Sequence, residues 1–412
     1  MLKKILAALL VCMLLVPSAL SLAEGEEITL NFWHHYNAQS PENETLMNVL
    51  IPAFEAANPG IRVNAVSHEW AQLHDKVLIS ATSDSLPDVA RCDIAWLPEF
   101  QAMGILTALD EEMADFEMVS GALLESAMST ARIGGHHYAL GLNTNSKIVF
   151  YNVKMLEDAG IPMPDTMAQW VEAVKALSGE NASGQQTWGW NEPALAGWNI
   201  CPFIWSFGGA LLSEDQTVAS GYINGPATVK AVETFAELVK AEAITGFNAG
   251  DIPMTDGFGM GRYAMMLEGP WKSSELETNY PDVAYATAPI PAGEGGSISV
   301  LGGEDIAMFH TANKDAAWRF MQFMTGEYAQ TEMAKCGQIP VNKAALESET
   351  VKMASFAPFI QAIQTAKARP TVAAWSEMDN DLQNALYAVV TGEKSAQSAM
   401  DELAVKWDGL LR

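Results

Sequence analysis

The sequence predicts an α/β protein built in two units, and three observations carry that reading. Alternating apolar residues and helically spaced ones succeed each other in the order β-α-β-α-β over residues 28–96. That order implies a mostly parallel sheet with helices on both faces. The same kind of pattern restarts after Gly134-Gly135. At 412 residues the chain is also too long for one ordinary core.

The elements follow in sequence. Ile28, Leu30 and Phe32 alternate with polar residues, so "ITLNFW" reads as a first strand. Leu46, Val49, Leu50, Ala53 and Phe54 lie at helical spacing within residues 41–57, and Asn58-Pro59-Gly60 is a turn. "IRVNAV" is a second strand, residues 72–81 a helix, and "LPDVARCDIAW" a third strand. After the restart, "HYALGL" and "KIVFYN" read as strands, and residues 166–177 and 226–243 as helices. "YAMMLEG", "DVAYATAPI" and "EDIAMF" are further strands; helices are expected over 314–325, 327–335, 349–367, 376–391 and 395–411. The Gly/Pro-rich "PIPAGEGGSISVLGGE" suits a crossing between units.

The first 23 residues stand apart. Lys3 and Lys4 precede an apolar run, Ile5 to Val16, and Ser21-Leu22-Ala23 offers small residues where a signal peptidase cuts. This is a secretory signal peptide, with cleavage expected near Ala23 and a periplasmic, cell-surface or secreted destination. Cys12 lies inside the apolar run, so no lipid is expected on it. Removing two lysines and no acid takes the net charge from −27 to −29. Such a surface repels nucleic acid and anionic membranes. Cys92, Cys201 and Cys336 remain; they fit no zinc spacing and read as small buried residues.

Motifs for chemistry are mostly missing. Gly257, Gly259 and Gly261 lack the G-x-G-x-x-G spacing and follow a polar stretch, so no nucleotide cofactor is implied. The adjacent pairs His34-His35 and His136-His137 chelate poorly on strands, where neighbours point to opposite faces; no metal is expected. No G-x-S-x-G occurs. Two carboxylates for glycoside hydrolysis could come from any of 50 acids, so motif alone leaves that open. Tryptophans carry the positive signal. Trp33, Trp70, Trp96, Trp188, Trp190, Trp198, Trp205, Trp271 and Trp375 form a set of which several lie at strand ends, as Trp33 and Trp96 do, or in Gly/Pro/Asn-rich loops. Carboxyl ends of parallel strands face a ligand crevice, and a flat indole packs on the apolar face of a sugar ring.

At this point the chain resembles the extracellular solute-binding proteins of family 1, sugar receptors of ABC importers of the maltose-binding and glycerol-3-phosphate-binding type. The resemblance runs in order through "ITLNFWHHYN", "LIPAFEAANPGIRVNAV", "LPDVARCDIAWLPEFQAMGILTALDE", "YALGLNTNSKIVFYNVKMLEDAGIPMPDTMAQW", "WSFGGALL", "GFGMGRYAMMLEGPW", "GQIPV" and Arg369-Pro370. Two histidines after Trp33 depart from the family's opening strand. The resemblance implies a two-lobed, periplasmic-binding-protein-like α/β fold of the class II type, with a ligand cleft between lobes. The N-lobe would be 26–136 and 297–337, the C-lobe 141–285 and 341–412. It implies a receptor, not an enzyme, that takes a sugar, oligosaccharide or polyol to ABC permease subunits, expected as a monomer. A receptor for an anionic solute such as glycerol phosphate, or a secreted glycoside hydrolase, is the alternative. In the implied pocket, Trp33, His35, Trp70 and Asp93 come from the N-lobe, and Asn143 and Asn145 from the crossover loop. Trp205 and Trp271 give stacking faces, and Gly302 and Gly303 a close backbone approach. Glu304, Gln338 and Arg369 supply polar contacts. Gly257, Gly259 and Gly261 become turn glycines.

Overall fold

A computed structural model describes residues 27–83, 85–352 and 356–412. The expected signal peptide and the Ala23 site lie outside these residues. The chain first lays down β1 (Ile28–His34), β2 (Ile61–Ser67) and β3 (Val89–Asp93), all parallel. β4 (Ala139–Ser146) joins the same sheet, and one residue later β5 (Ile148–Asn152) opens a second one. That second sheet gains β6 (Gln186–Asn191), β7 (Ile244–Thr245), β8 (Tyr263–Glu268) and β9 (Tyr285–Ala288). Its order is β7-β6-β8-β5-β9. The chain then returns: β10 (Val300–Met308) inserts between β3 and β4, β11 (Ile339–Pro340) flanks β4, and β12 (Lys367–Ala368) pairs with the start of β10.

Both sheets are mixed rather than mostly parallel. β10 runs antiparallel to β3 and β4, and β5 antiparallel to β8 and β9. The reason is the crossing. β10 enters the first sheet from the other lobe, at the end where β1 and β3 finish, so it must run against them. Its register sets Glu304 beside Asp93.

The expected start of the second lobe at 141 falls inside β4, which pairs along its length within the first sheet. The change of sheet comes at Lys147, which is fully buried. Ser299 Oγ donates to the Lys147 carbonyl at 2.6 Å, tying the outward and return crossings together.

Each sheet has its own core. Phe32, Phe54, Leu140, Ile306 and Phe320 pack in the first lobe; Trp170, Trp190, Phe203, Phe235 and Trp407 pack in the second. The helix expected over 41–57 is present with a π-helical turn at Leu46–Leu50, followed by Ile51–Ala57 with Pro52 at its start. Pro52 has no N–H to donate, so the ladder cannot keep its α spacing there. One long helix over 349–367 is not found: Ala357–Ile363 is a two-turn helix, and the chain then extends into β12. A helix at Gly197–Ser206 had no counterpart in the sequence reading, because Pro202 sits in an almost unbroken apolar run. Cys92, Cys201 and Cys336 are buried and unpaired. Among the described residues no helix is long and apolar enough to cross a membrane.

Candidate functional site

A cleft of about 640 Å³ opens between the two sheets. Strand ends and helix starts build it. From the first lobe come His35 and Tyr36 after β1, Asp93 at the end of β3, Asn145 on β4 and Gly302–Glu304 on β10. From the second come Glu268 at the end of β8, Trp271 opening the helix Trp271–Asn279, and Trp198 in the first turn of Gly197–Ser206. Trp375 and Asp379, one turn apart, open the helix Trp375–Val390.

Five indoles line the walls: Trp70, Trp96, Trp198, Trp271 and Trp375. Trp70 and Trp96 lie 5.2 Å apart on the first lobe. Trp198 and Trp271 form a nearly parallel pair, 6.3 Å between centroids and 26° between planes. Glycine makes these positions possible. A Cβ on Gly302 would meet the Trp198 ring at 2.5 Å and Asn145 Oδ1 at 2.0 Å, so Trp198 rests on bare backbone. A Cβ on Gly269 would meet the Trp271 ring at 2.2 Å.

Two buried ion pairs form the polar floor. Arg369 donates to Asp93 at 2.6 Å, and Arg91 to Glu304 at 2.7 Å. Asp93 also accepts from Trp70 Nε1 at 3.1 Å and from the Ala95 N–H at 2.8 Å. The Arg369 guanidinium lies 5.4 Å from the Trp198 ring centroid, and Lys147 Nζ 5.5 Å from it. A line of contacts thus runs from β3 in one lobe to an indole in the other. His35 sits against Arg91 Nη1, 2.9 Å from its Nδ1. Burial, then the Arg91 charge, holds its imidazole pKa far below the usual range, so it is neutral. His34, fully buried with neither ring nitrogen bonded, is pushed down to about 3, chiefly by burial.

Ten of the thirteen residues named from the sequence line this cleft: His35, Trp70, Asp93, Asn145, Trp271, Gly302, Gly303, Glu304, Gln338 and Arg369. Three do not. Trp33 packs edge-on to His68 with Lys76 Nζ 4.9 Å over its ring. Asn143 lies behind the wall, where its amide donates to Glu304. Trp205 is a correction: it is buried in the second lobe's core with Phe203 and Ile204, and the cleft face expected of it belongs to Trp198. Arg91, Glu42, Glu268 and Asp379 line the cleft without having been singled out, and Trp375, one of the tryptophans noted in the sequence, lines it too. The Trp375/Asp379 pair has an i,i+4 signal, but nothing local says that this helix end faces a crevice.

A family model for bacterial extracellular solute-binding proteins matches residues 50–358. A putative binding protein of Brucella abortus is 27% identical over 384 residues, 87% of this chain and 88% of the relative. The diacetylchitobiose-binding protein DasA of Streptomyces coelicolor is 22% identical over 356 residues, 84% of this chain and 82% of the relative. Among solved structures, the GacH receptor of Streptomyces glaucescens, determined unliganded and with acarbose, has a TM-score of 0.82 at 24% identity. That match spans 93% of this chain and 98% of the receptor, so the two-lobed fold is shared.

Proposed function

We propose that this chain, which belongs to the bacterial extracellular solute-binding proteins, is the sugar receptor of an ABC importer. The observation that carries this reading is the lining of the cleft: five indoles from both lobes around buried polar groups. Indole faces take the apolar faces of sugar rings while charged and amide groups take the hydroxyls. The ligands named for two similar proteins, diacetylchitobiose and acarbose, are of the same chemical class.

A ligand touching both lobes binds better when they are closed, and only that difference in affinity can drive closure. The closed form then docks on the permease, and the chain works as a monomer outside the cytoplasmic membrane. The residues we assign to ligand contact are Trp70, Trp198 and Trp271 for stacking, with Asp93, Asn145, Glu304, Gln338 and Arg369 for hydroxyls. The chain binds without catalysing. Asp93 and Glu304 are each held by an arginine, so their oxygens are engaged in fixed ion pairs and not free to flank a glycosidic bond.

Thermal denaturation against mono- and oligosaccharides tests this. A true ligand at a hundredfold its Kd should stabilise the protein by about 2.7 kcal/mol. No stabilisation by any sugar, or release of shorter products from oligosaccharides, overturns the reading.

A further inference from the structure

We propose that the cleft selects a sugar bearing a free amine, an amino-sugar glycoside, over its neutral and carboxylated counterparts. The inference rests on the sugar-receptor reading and narrows its ligand class. Ion pairs account for part of the cleft's acidity: Arg91 with Glu304, Arg369 with Asp93, and Lys272 with Glu275. Of the other carboxylates that line the cleft, Asp75 is exposed beside His74, and three are more than nine-tenths buried: Glu42, Glu268 and Asp379. Among the described residues none of the three has a lysine, arginine or histidine at ion-pair distance.

Their protein partners are neutral. Glu268 accepts from the Gly269 N–H at 2.9 Å, Asp379 from the Gly197 N–H at 2.5 Å, and Glu42 from the Gln338 amide. A buried charge is costly unless a counter-charge meets it. Burial raises the carboxyl pKa of Glu42, and that of Asp379 to about 6, as it must where the charge is under-compensated. Sugar hydroxyls can donate hydrogen bonds to these groups but bring no charge. An ammonium brings both, with three donors and no acceptor.

The free hydrogen-bonding capacity points the same way. Asn145 Oδ1 and Gln338 Oε1 are buried acceptors on cleft-lining residues, and neither has a partner. The unpartnered donors, Nε of Arg91 and Arg369, belong to guanidinium groups already paired with Glu304 and Asp93.

Placement couples the charge to closure. Glu42 belongs to the first lobe, Glu268 and Asp379 to the second. Bringing the lobes together concentrates like charge, and a cation between them offsets that repulsion in the closed state alone.

The test compares matched sugars of one to four units in gluco, galacto and manno configurations, by calorimetry at pH 7 and low salt. Each is offered as the free amine, the neutral hydroxyl or N-acetyl form, and the uronic acid. For the configuration that binds, the amine form should bind at least tenfold tighter than its neutral counterpart, and the uronic acid most weakly. Glu268→Gln and Asp379→Asn should each shrink the amine preference while neutral binding persists. A neutral or uronic form binding as tightly as the amine overturns this inference and leaves the receptor reading standing. Binding by none of them overturns the receptor reading, and this inference with it.

Discussion

Trp198 and Trp205 sit on one helix, seven residues apart, on the same face but about 10 Å apart along the axis. That distance separates a cleft residue from a core residue. Trp198→Ala and Trp271→Ala should each weaken sugar binding by about 2–4 kcal/mol, the range for an aromatic anchor, with the ligand-free melting temperature nearly unchanged. Trp205→Ala should instead cost about 3–5 kcal/mol of stability and leave affinity at a permissive temperature intact. Calorimetry with parallel melts checks both, and the opposite pattern would reverse the two assignments. Asp305 gives a second test at this scale. Its carboxyl is buried, and burial pushes its pKa from 3.8 up to about 8. Its near neighbour Thr130 Oγ1 lies 3.1 Å from Oδ2 and 2.6 Å from the Ala127 carbonyl oxygen. Thr130 donates to this carboxyl, which lowers the pKa, but burial is the larger effect and the net shift is upward. The folded state then holds a proton that the unfolded chain releases near pH 4. Stability from this group is complete below pH 4 and falls as pH rises toward 8, by at most about 1.4 kcal/mol per pH unit. Asp305→Asn should flatten the decline of melting temperature between pH 5 and 8. Parallel curves for wild type and variant would mean that the native carboxyl is ionised. What was legible among residues follows from these cases. Asp93, Gly302 and Arg369 could be named from motif and order, whereas Arg91, Asp379 and the choice of Trp198 over Trp205 depend on which helix or strand end meets the other lobe.

At the scale of elements, the segment "TDGFGMGRYAMMLEGPW" shows how far local reading goes. A helix, Met254–Gly259, runs into β8, and the strand's far end delivers Trp271 to the cleft, as the order of residues implies. The three glycines do not share one role. Only Gly261 has a left-handed backbone, with φ of +69°. Gly257 and Gly259 are helical, and aromatic rings lie on them: a Cβ would meet Tyr263 at 2.0 Å and Tyr280 at 2.2 Å. Turn chemistry is local and could be read; ring-on-backbone packing involves residues that only the folded chain brings close. Gly257→Ala should therefore displace the fully buried Tyr263 and cost about 1–3 kcal/mol, the usual penalty of overpacking. Because Tyr263 opens the strand that ends before Trp271, sugar affinity should fall too. Melting and calorimetry on the variant decide this; a wild-type melting temperature would show that the helix has room to shift. Strand direction was beyond reach for a similar reason. Alternation marks β10 as a strand, but only its return from the second lobe makes it antiparallel to β3.

At the scale of the molecule, the cleft's two walls already touch at one corner. Ser376, in the first turn of Trp375–Val390, donates to Glu99 Oε2 at 2.5 Å, and its hydroxyl lies 3.2 Å from His74 Nε2. His74 in turn lies 2.9 Å from Glu99 Oε2. His74 and Glu99 ride on first-lobe helices, Trp70–Ala81 and Leu97–Ala102, while Ser376 belongs to the second lobe's core layer. A hydrogen bond across a hinged cleft exists only while the lobes are together, so it stabilises the closed state and not the open one. Ser376→Ala should remove about 0.5–1.5 kcal/mol from closure. The expected result is sugar affinity roughly 2- to 12-fold weaker at 1.4 kcal/mol per tenfold, expressed mainly as faster release, with the ligand-free melting temperature unchanged. Small-angle scattering completes the test. Sugar should reduce the radius of gyration of the wild type, and the variant should need more sugar for the same reduction. If Ser376→Ala lowers the ligand-free melting temperature as much as the liganded one, the contact persists in the open protein and cannot bias closure. A radius that stays constant through saturation, with the affinity loss intact, would mean that the receptor is closed before the sugar arrives.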